Sequence, residues 1–541
     1  MVRNRFVLAL IAFVFALGNS AFPQNFQGVL TWHNDIGRTG QNLTETTLTL
    51  GNVKMATFGK VFSFPVDGQI YAQPLYVPNV AIPGQGTHNV VYVETENDSL
   101  FAFDADGLTS TPLWQDSFIN AANGVTPVPC SVPANCSIYP IIGITGTPVI
   151  DPSSGTIYVL VRTDENGTLV ERLHALDITT GAEKFGGPVR ITGSVPGTGF
   201  GSHDGKVGFE TYGIQRTGLL LLNGVIYLGW ATGAHGWVMG YNAQTLAQTA
   251  ILNTTPDGVL GGVWQSGAGL SADSNGYMYV ATGDGLFDFY TGGPDDGDSV
   301  LKLDANLNVV DYFTPMDQAC RKANDYDLGS GGPMVIPTQT GPHPDLLVEA
   351  GKGGAPCDAA DFAPIYLLDR DSLGHYNSAE DADLQTVNGA PHGYWSSPAY
   401  WQGPKGTYVY FAGVTEEGGY GDNLKAYTLS NGELSTTPVA QSPNKLHVGA
   451  TPSISANGTK NGILWVVERQ DPLGVATASS AAILYAYNAA DVAQMLYSSS
   501  QAGTRDEAGL NSKFIVPTIA NGRVYVGTQT ELDVYGLLSA P

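Results

Sequence analysis

Val516-Pro-Thr-Ile-Ala-Asn-Gly-Arg-Val-Tyr-Val-Gly-Thr, followed by Glu531-Leu-Asp-Val-Tyr535, contains the repeating unit of this chain. A Pro-bearing apolar strand runs into Asn-Gly, a pair suited to the positive φ angles of a tight hairpin turn. A second strand, rich in β-branched and aromatic residues, leaves the turn, and a third follows after a short loop. The opening strand recurs at Ala72-Gln-Pro-Leu-Tyr, Gly146-Thr-Pro-Val-Ile, Arg216-Thr-Gly-Leu-Leu and Gly267-Ala-Gly-Leu. It recurs again at Gly332-Pro-Met-Val, Ser397-Pro-Ala-Tyr and Thr451-Pro-Ser-Ile. Middle strands matching Val524-Tyr-Val follow each opening, from Val91-Tyr-Val through Ile157-Tyr-Val and Ile226-Tyr-Leu to Leu464-Trp-Val. Most third strands end on Asp or Asn, as at Phe103-Asp, Leu176-Asp, Tyr241-Asn, Leu303-Asp, Leu368-Asp and Tyr487-Asn.

Eight such units are countable in the chain. A small antiparallel sheet cannot bury both faces alone, whereas radial stacking buries each face on a neighbour and leaves only short edges. The expected fold is therefore all-β, an eight-bladed propeller of four-stranded antiparallel blades. The last unit ends soon after its third strand, while Lys60-Val-Phe-Ser-Phe stands unused before the first. That strand is expected to complete the last blade, so that N- and C-terminal strands close the ring together. The expected organisation is a signal peptide over 1–21, an N-terminal extension over 22–57 and the propeller over 58–541.

Composition agrees. Gly and Pro number 68 and 32 of 541 residues, a load that rules out long helices and helical solenoids. Hydrophobic residues at 43% are too many for a disordered chain. A net charge of −25 argues against nucleic acid or an anionic membrane as partner and otherwise serves solubility, while the convergence of loops at a propeller face makes a small-molecule or protein ligand expected there. Arg3 and Arg5 precede the uncharged apolar run Phe6 to Leu17 and the small residues Gly18 to Ala21, the pattern of a secretory signal peptide. No later segment has the apolar length of a membrane span, so a secreted or periplasmic protein is expected. Export suits the four cysteines, for which three pairings exist; proximity favours Cys130–Cys136 and Cys320–Cys357.

Loops after the middle strands carry Glu96, Asp98, Arg162, Asp164, His235, Asp284, Lys352, Glu416 and Arg469, and such loops gather at one face of a propeller. The repeat as a whole resembles the PQQ repeat of quinoprotein alcohol dehydrogenases and of related non-catalytic propellers. Gly261-Gly-Val-Trp-Gln and Gly276-Tyr-Met-Tyr-Val-Ala-Thr-Gly-Asp284 are similar to the family's blade with a tryptophan beneath the quinone and a calcium ligand. The resemblance thus implies Trp264 in cofactor binding and Asp284 as a metal ligand. Asn324-Asp-Tyr-Asp-Leu-Gly resembles the motif whose first Asp is the catalytic base, which implies that role, and metal ligation, for Asp325. Ala350-Gly-Lys-Gly-Gly resembles the segment that gives a basic residue to the quinone carbonyl, implying Lys352. PQQ and Ca²⁺ are the implied cofactors.

Those residue types fit the chemistry. Oxidising an alcohol with a quinone requires a base for the hydroxyl proton, and calcium takes oxygen ligands. The chain departs from the family at Gly233-Ala-His-Gly, where a glutamate ligand is the rule, and it has no adjacent cysteines. Three functions follow as expectations: a PQQ-dependent dehydrogenase oxidising an alcohol or sugar, a non-catalytic extracytoplasmic scaffold, and a glycan-binding or lyase propeller. The last rests on Tyr394, Trp395, Tyr400 and Trp401 as a carbohydrate platform. The acidic run Asp295 to Asp298 is expected to be solvated, and Asp325 and Asp327 also suit turn caps.

Overall fold

In the computed structural model, residues 28–132, 136–231, 233–358, 362–390, 394–414, 421–447, 450–471 and 479–539 are described. The expected signal peptide and Glu416 lie outside them. The eight units form eight sheets in ring order, each starting from its Pro- or Gly-bearing strand. The first blade runs Leu75–Ile82, Gly86–Thr95, Ser99–Asp104 and Trp114–Ser117. In the last, Thr518–Ala520, Arg523–Gly527 and Glu531–Leu537 are completed by Phe58–Pro65, which pairs antiparallel with Glu531–Leu537. The ring is closed by its two ends, as expected. Lys60 fastens this closure with its Nζ 2.5 Å from the buried carboxylate of Asp533.

The repeat also contains its own inter-blade fastener. The tyrosine of the middle strand donates its hydroxyl to the carbonyl just past the Asp or Asn turn of a neighbouring blade. Tyr92 reaches Ile178 at 2.9 Å, Tyr158 reaches Ala243 at 2.8 Å, and Tyr227 reaches Ala305 at 2.9 Å. Tyr410 reaches Ala489 at 2.7 Å, and Tyr525 reaches Ala105 at 3.0 Å across the closure. The turn is held ready by the Asp or Asn before it, whose Oδ1 accepts the amide two residues on, as in Asp104, Asp177, Asn242, Asp304, Asp369 and Asn488. Val-Tyr-Val and the terminal Asp are thus two halves of one joint between blades.

The segment before the closing strand crosses the middle of the ring and bonds to every blade. Val29 pairs with Tyr76 of the first blade, and the amide of Ile150 in the second donates to Leu30 O at 2.8 Å. Amides of Ala272, Val335, Tyr400 and Ile454, in blades four to seven, donate to the carbonyls of Ile36, Gly37, Thr39 and Gly40. Gln41–Asn42 adds in parallel to Ser453–Asn457, and Asn42 Nδ2 donates to Ile519 O of the eighth blade at 3.0 Å. The third blade is reached by Arg38, whose fully buried guanidinium donates to Leu219 O, Leu270 O, Trp32 O and Thr31 Oγ1.

Both expected disulfides are formed, Cys130–Cys136 and Cys320–Cys357. Among the described residues, no helix is long and apolar enough to cross a membrane. Tyr394, Tyr400 and Trp401 are buried in the sheets, so of the expected carbohydrate platform only Trp395 is partly exposed. The acidic run differs from expectation: Asp295, Asp296 and Asp298 are buried. They are drawn in because their oxygens serve the loop, Asp295 Oδ1 accepting the amides of Asp257 and Gly258, and Asp298 Oδ1 that of Leu328.

Candidate active site at the channel mouth

The loop after the middle strand of blade four and the segment leading into blade five bring three aspartates together. Asp284, Asp325 and Asp327 each offer an oxygen, and these oxygens all lie within 4.8 Å of one another. Asp284 ends the Thr-Gly-Asp turn of blade four, and its amide donates to Asp327 Oδ1 at 2.9 Å. Gly283 is required beside it, since a Cβ there would stand 2.5 Å from the same oxygen. Asp325 caps the helix Gln318–Asn324 at φ 58°, a left-handed conformation that Asp tolerates better than most residues. Its side chain is 80% exposed, the accessible member of the cluster.

Lys352 completes the group. Its Nζ lies 3.0 Å from Asp325 Oδ1 and 2.7 Å from Asp327 Oδ2. The ammonium also sits between two indoles, 5.9 Å from the ring centre of Trp264 and 5.8 Å from that of Trp395. Two staples fix this loop against the helix bearing Asp325. One is Cys320–Cys357; the other is Arg321, whose buried guanidinium donates to Lys352 O at 3.0 Å and pairs with Asp317 and Asp358. Ser330 Oγ joins the same parts, accepting the Lys352 amide at 2.7 Å and donating to Asp327 O at 3.0 Å.

A cavity of about 550 Å³ opens over this cluster, lined by Asp325, Lys352, Trp264, Arg216, Tyr212, Ile214 and Ser137. Arg216 lies over the Trp264 ring at 5.7 Å and over Phe514 at 5.8 Å, and donates to Ser137 Oγ. A smaller pocket shares Arg216 and is walled by Trp32, Tyr71 and Phe514. Burial, reinforced by the positive charges of Arg469 and Arg216, draws Lys513 down to about 8. The cavity thus offers aromatic faces with cationic edges above a carboxylate cluster.

Of the residues singled out in the sequence, Asp325, Lys352 and Trp264 line one cavity, and Asp284 adjoins them through the carboxylate cluster. Asp327, expected at most as a turn cap, is the third member of the cluster. Its spacing from Asp325 was visible, but nothing in sequence showed that blade four would bond to it. Arg216 opens the first strand of one unit and Lys513 and Phe514 immediately precede that of the last, positions that the repeat marks as strand entries and not as a ligand site. His235 is held away from any such role, with Nε2 2.8 Å from Phe200 O and Nδ1 3.0 Å from Thr255 O.

Burial is the main cause that lifts Asp284 to about 9, with Asp327, Asp298 and Asp325 adding repulsion. Burial alone would lower Lys352, but Asp327 and Asp325 hold it above its ordinary value. Elsewhere, burial lifts Glu94 and Asp296 each to about 8. Such acids hold protons in the folded chain that the unfolded chain releases above its ordinary carboxylate range, so stability falls as pH rises between the two values. Without added cations, the melting temperature is therefore expected to fall between about pH 5 and pH 9. A scanning-calorimetry series with the maximum at the alkaline end would contradict these assignments.

No family model matches the chain, and no curated protein matches it. Among solved structures it is similar to a quinohemoprotein alcohol dehydrogenase from Pseudomonas putida, at 13% identity and TM-score 0.58, over 95% of this chain and 81% of that one. It is similar also to a europium-containing methanol dehydrogenase, at 12% identity and TM-score 0.60, over 95% of this chain and 99% of that one. Likeness at such identity establishes the shared propeller fold.

Proposed function

We propose that the chain is an exported quinoprotein-like dehydrogenase that oxidises an alcohol or sugar at the channel mouth, with PQQ and a metal cation as cofactors. The observation that carries this is a cavity lined by Asp325, Lys352 and Trp264, with Asp325 also one of three clustered aspartates beside Asp284 and Asp327. The fit of each cofactor is judged on the donors present. PQQ is a planar, polycarboxylated quinone, and the cavity supplies an indole face at Trp264 with Arg216 and Lys352 over it. The cation has three carboxylates, and Asp284 Oδ1 is buried with no hydrogen-bond partner among the described residues. Calcium suits these oxygens. A trivalent lanthanide gains more from three negative charges, and the europium in the name of one structural neighbour supports testing it.

When bound, the quinone would accept the hydride equivalent from the alcohol carbon. The chain's own residues do the rest. Asp325, exposed to the cavity, takes the hydroxyl proton. Lys352 and Arg216 supply positive charge where negative charge grows, and the walls of Trp264 and Tyr212 orient the substrate and limit water. The missing glutamate ligand is offset by Asp327.

The test is binding followed by turnover. Purified protein is titrated with PQQ in the presence of Ca²⁺ or La³⁺, and alcohols and sugars are then supplied with an artificial electron acceptor. Saturable binding and alcohol-dependent acceptor reduction are expected. Absence of PQQ binding with either ion would defeat the proposal, and binding without turnover on any alcohol or sugar would leave a non-catalytic propeller.

A further inference from the structure

We infer that Lys352 is a built-in competitor of the cation, so that its ammonium must leave two carboxylates before an ion can take them. This rests on the reading above that the three aspartates hold a cation. The same oxygens are contested: Lys352 Nζ is bonded to Asp325 Oδ1 and Asp327 Oδ2. The other oxygen of Asp327 accepts the Asp284 amide, so Asp327 has no oxygen outside existing bonds. Arg321, the guanidinium that staples this loop to the helix, is committed to Asp317 and Asp358. An ion ligated by Asp327 either displaces the ammonium or sits beside it, and two positive charges at such separation repel strongly in a partly buried site.

The displaced ammonium has a place to go. Trp264 and Trp395 flank it and attract a cation through their ring faces, and Lys352 already lines the cavity. Loading the ion would swing Lys352 from the aspartates toward whatever occupies the cavity. The lysine thus keeps the cluster partly neutralised before loading and turns toward the ligand after it.

The same indoles provide the readout, since a bound Tb³⁺ close to Trp264 and Trp395 is sensitised by tryptophan excitation. Full-length mature protein and the variant K352M are titrated with Tb³⁺, with K352R as the charge-retaining control and D284N as the site control. K352M is expected to bind at least about tenfold more tightly than the native chain, K352R to bind as the native chain does, and D284N to bind more weakly than the native chain. Equal or weaker binding by K352M, with the native chain binding normally, overturns the competition while leaving the cation site standing. Absence of saturable luminescence from the native chain and K352M alike overturns both. If K352M does not fold, as judged by its melting curve, K352Q carries the same expectations.

Discussion

Replacing Asp325 by Asn is expected to lower kcat by about 10³-fold at saturating cation, with PQQ affinity changed little. The size follows from what the substitution removes. An amide cannot accept the hydroxyl proton, and general-base catalysis contributes about 10²- to 10⁴-fold. It leaves one oxygen for the cation, so loading weakens but survives, and saturating ion separates the two effects. Fold is not at stake, because the Asp325 side chain is 80% exposed. The φ of 58° at this helix cap also suits Asn. A single-turnover measurement on protein preloaded with ion and quinone isolates the chemical step. A D325N variant with native kcat would remove Asp325 as the base and leave it a ligand only.

The second large effect concerns the whole ring. Arg38→Met is expected to destabilise the protein by about 3–6 kcal/mol, since several carbonyls buried between blades lose a charged donor at once. Arg38 Nε bonds Leu270 O at 2.8 Å, and Nη1 bonds Trp32 O at 2.9 Å and Thr31 Oγ1 at 2.8 Å. Burial draws its pKa to about 9, still charged at neutral pH. Desolvating that charge is costly, and methionine would relieve the cost, but the orphaned carbonyls of blades three and four remain. The orphaned carbonyls dominate. Because Trp32 belongs to the same segment and walls the pocket beneath Arg216, loosening it would also disturb the cavity floor. A shift of the urea midpoint, with early proteolysis between residues 28 and 57, is the expected result. An unchanged midpoint would show that the crossing segment contributes little to ring stability.

How far the sequence reaches can be seen in particular residues. Val-Tyr-Val and the terminal Asp or Asn of most units are legible because each does one job repeated around the ring: hydroxyl to carbonyl between blades, carboxylate or amide oxygen to amide within the turn. The closing strand was legible for the same reason, as a strand without a place in its own unit. The segment from Val29 to Asn42 was not. It bonds through isolated backbone groups to a different blade every residue or two, so no period of two or 3.6 marks it. The candidate site divides likewise. Asp284, Asp325 and Lys352 sit beside strands whose motifs point to them, whereas Arg216 in the cavity and Phe514 in the pocket beside it are brought there only by folding across the ring. The acidic run Asp295 to Asp298 misled because charge suggests solvent. In the fold, its oxygens substitute for water at the amides of Asp257, Gly258 and Leu328.

The central claim is that one cavity holds both a cation and a quinone. It is tested most directly by a crystal structure of the protein grown with PQQ and La³⁺, using anomalous scattering to locate the ion. The account predicts an anomalous peak ligated by Asp284, Asp325 and Asp327, with planar density lying on the face of Trp264 beside Arg216. A peak at any other group of carboxylates, or a Trp264 face without ligand density at saturating PQQ, would contradict it.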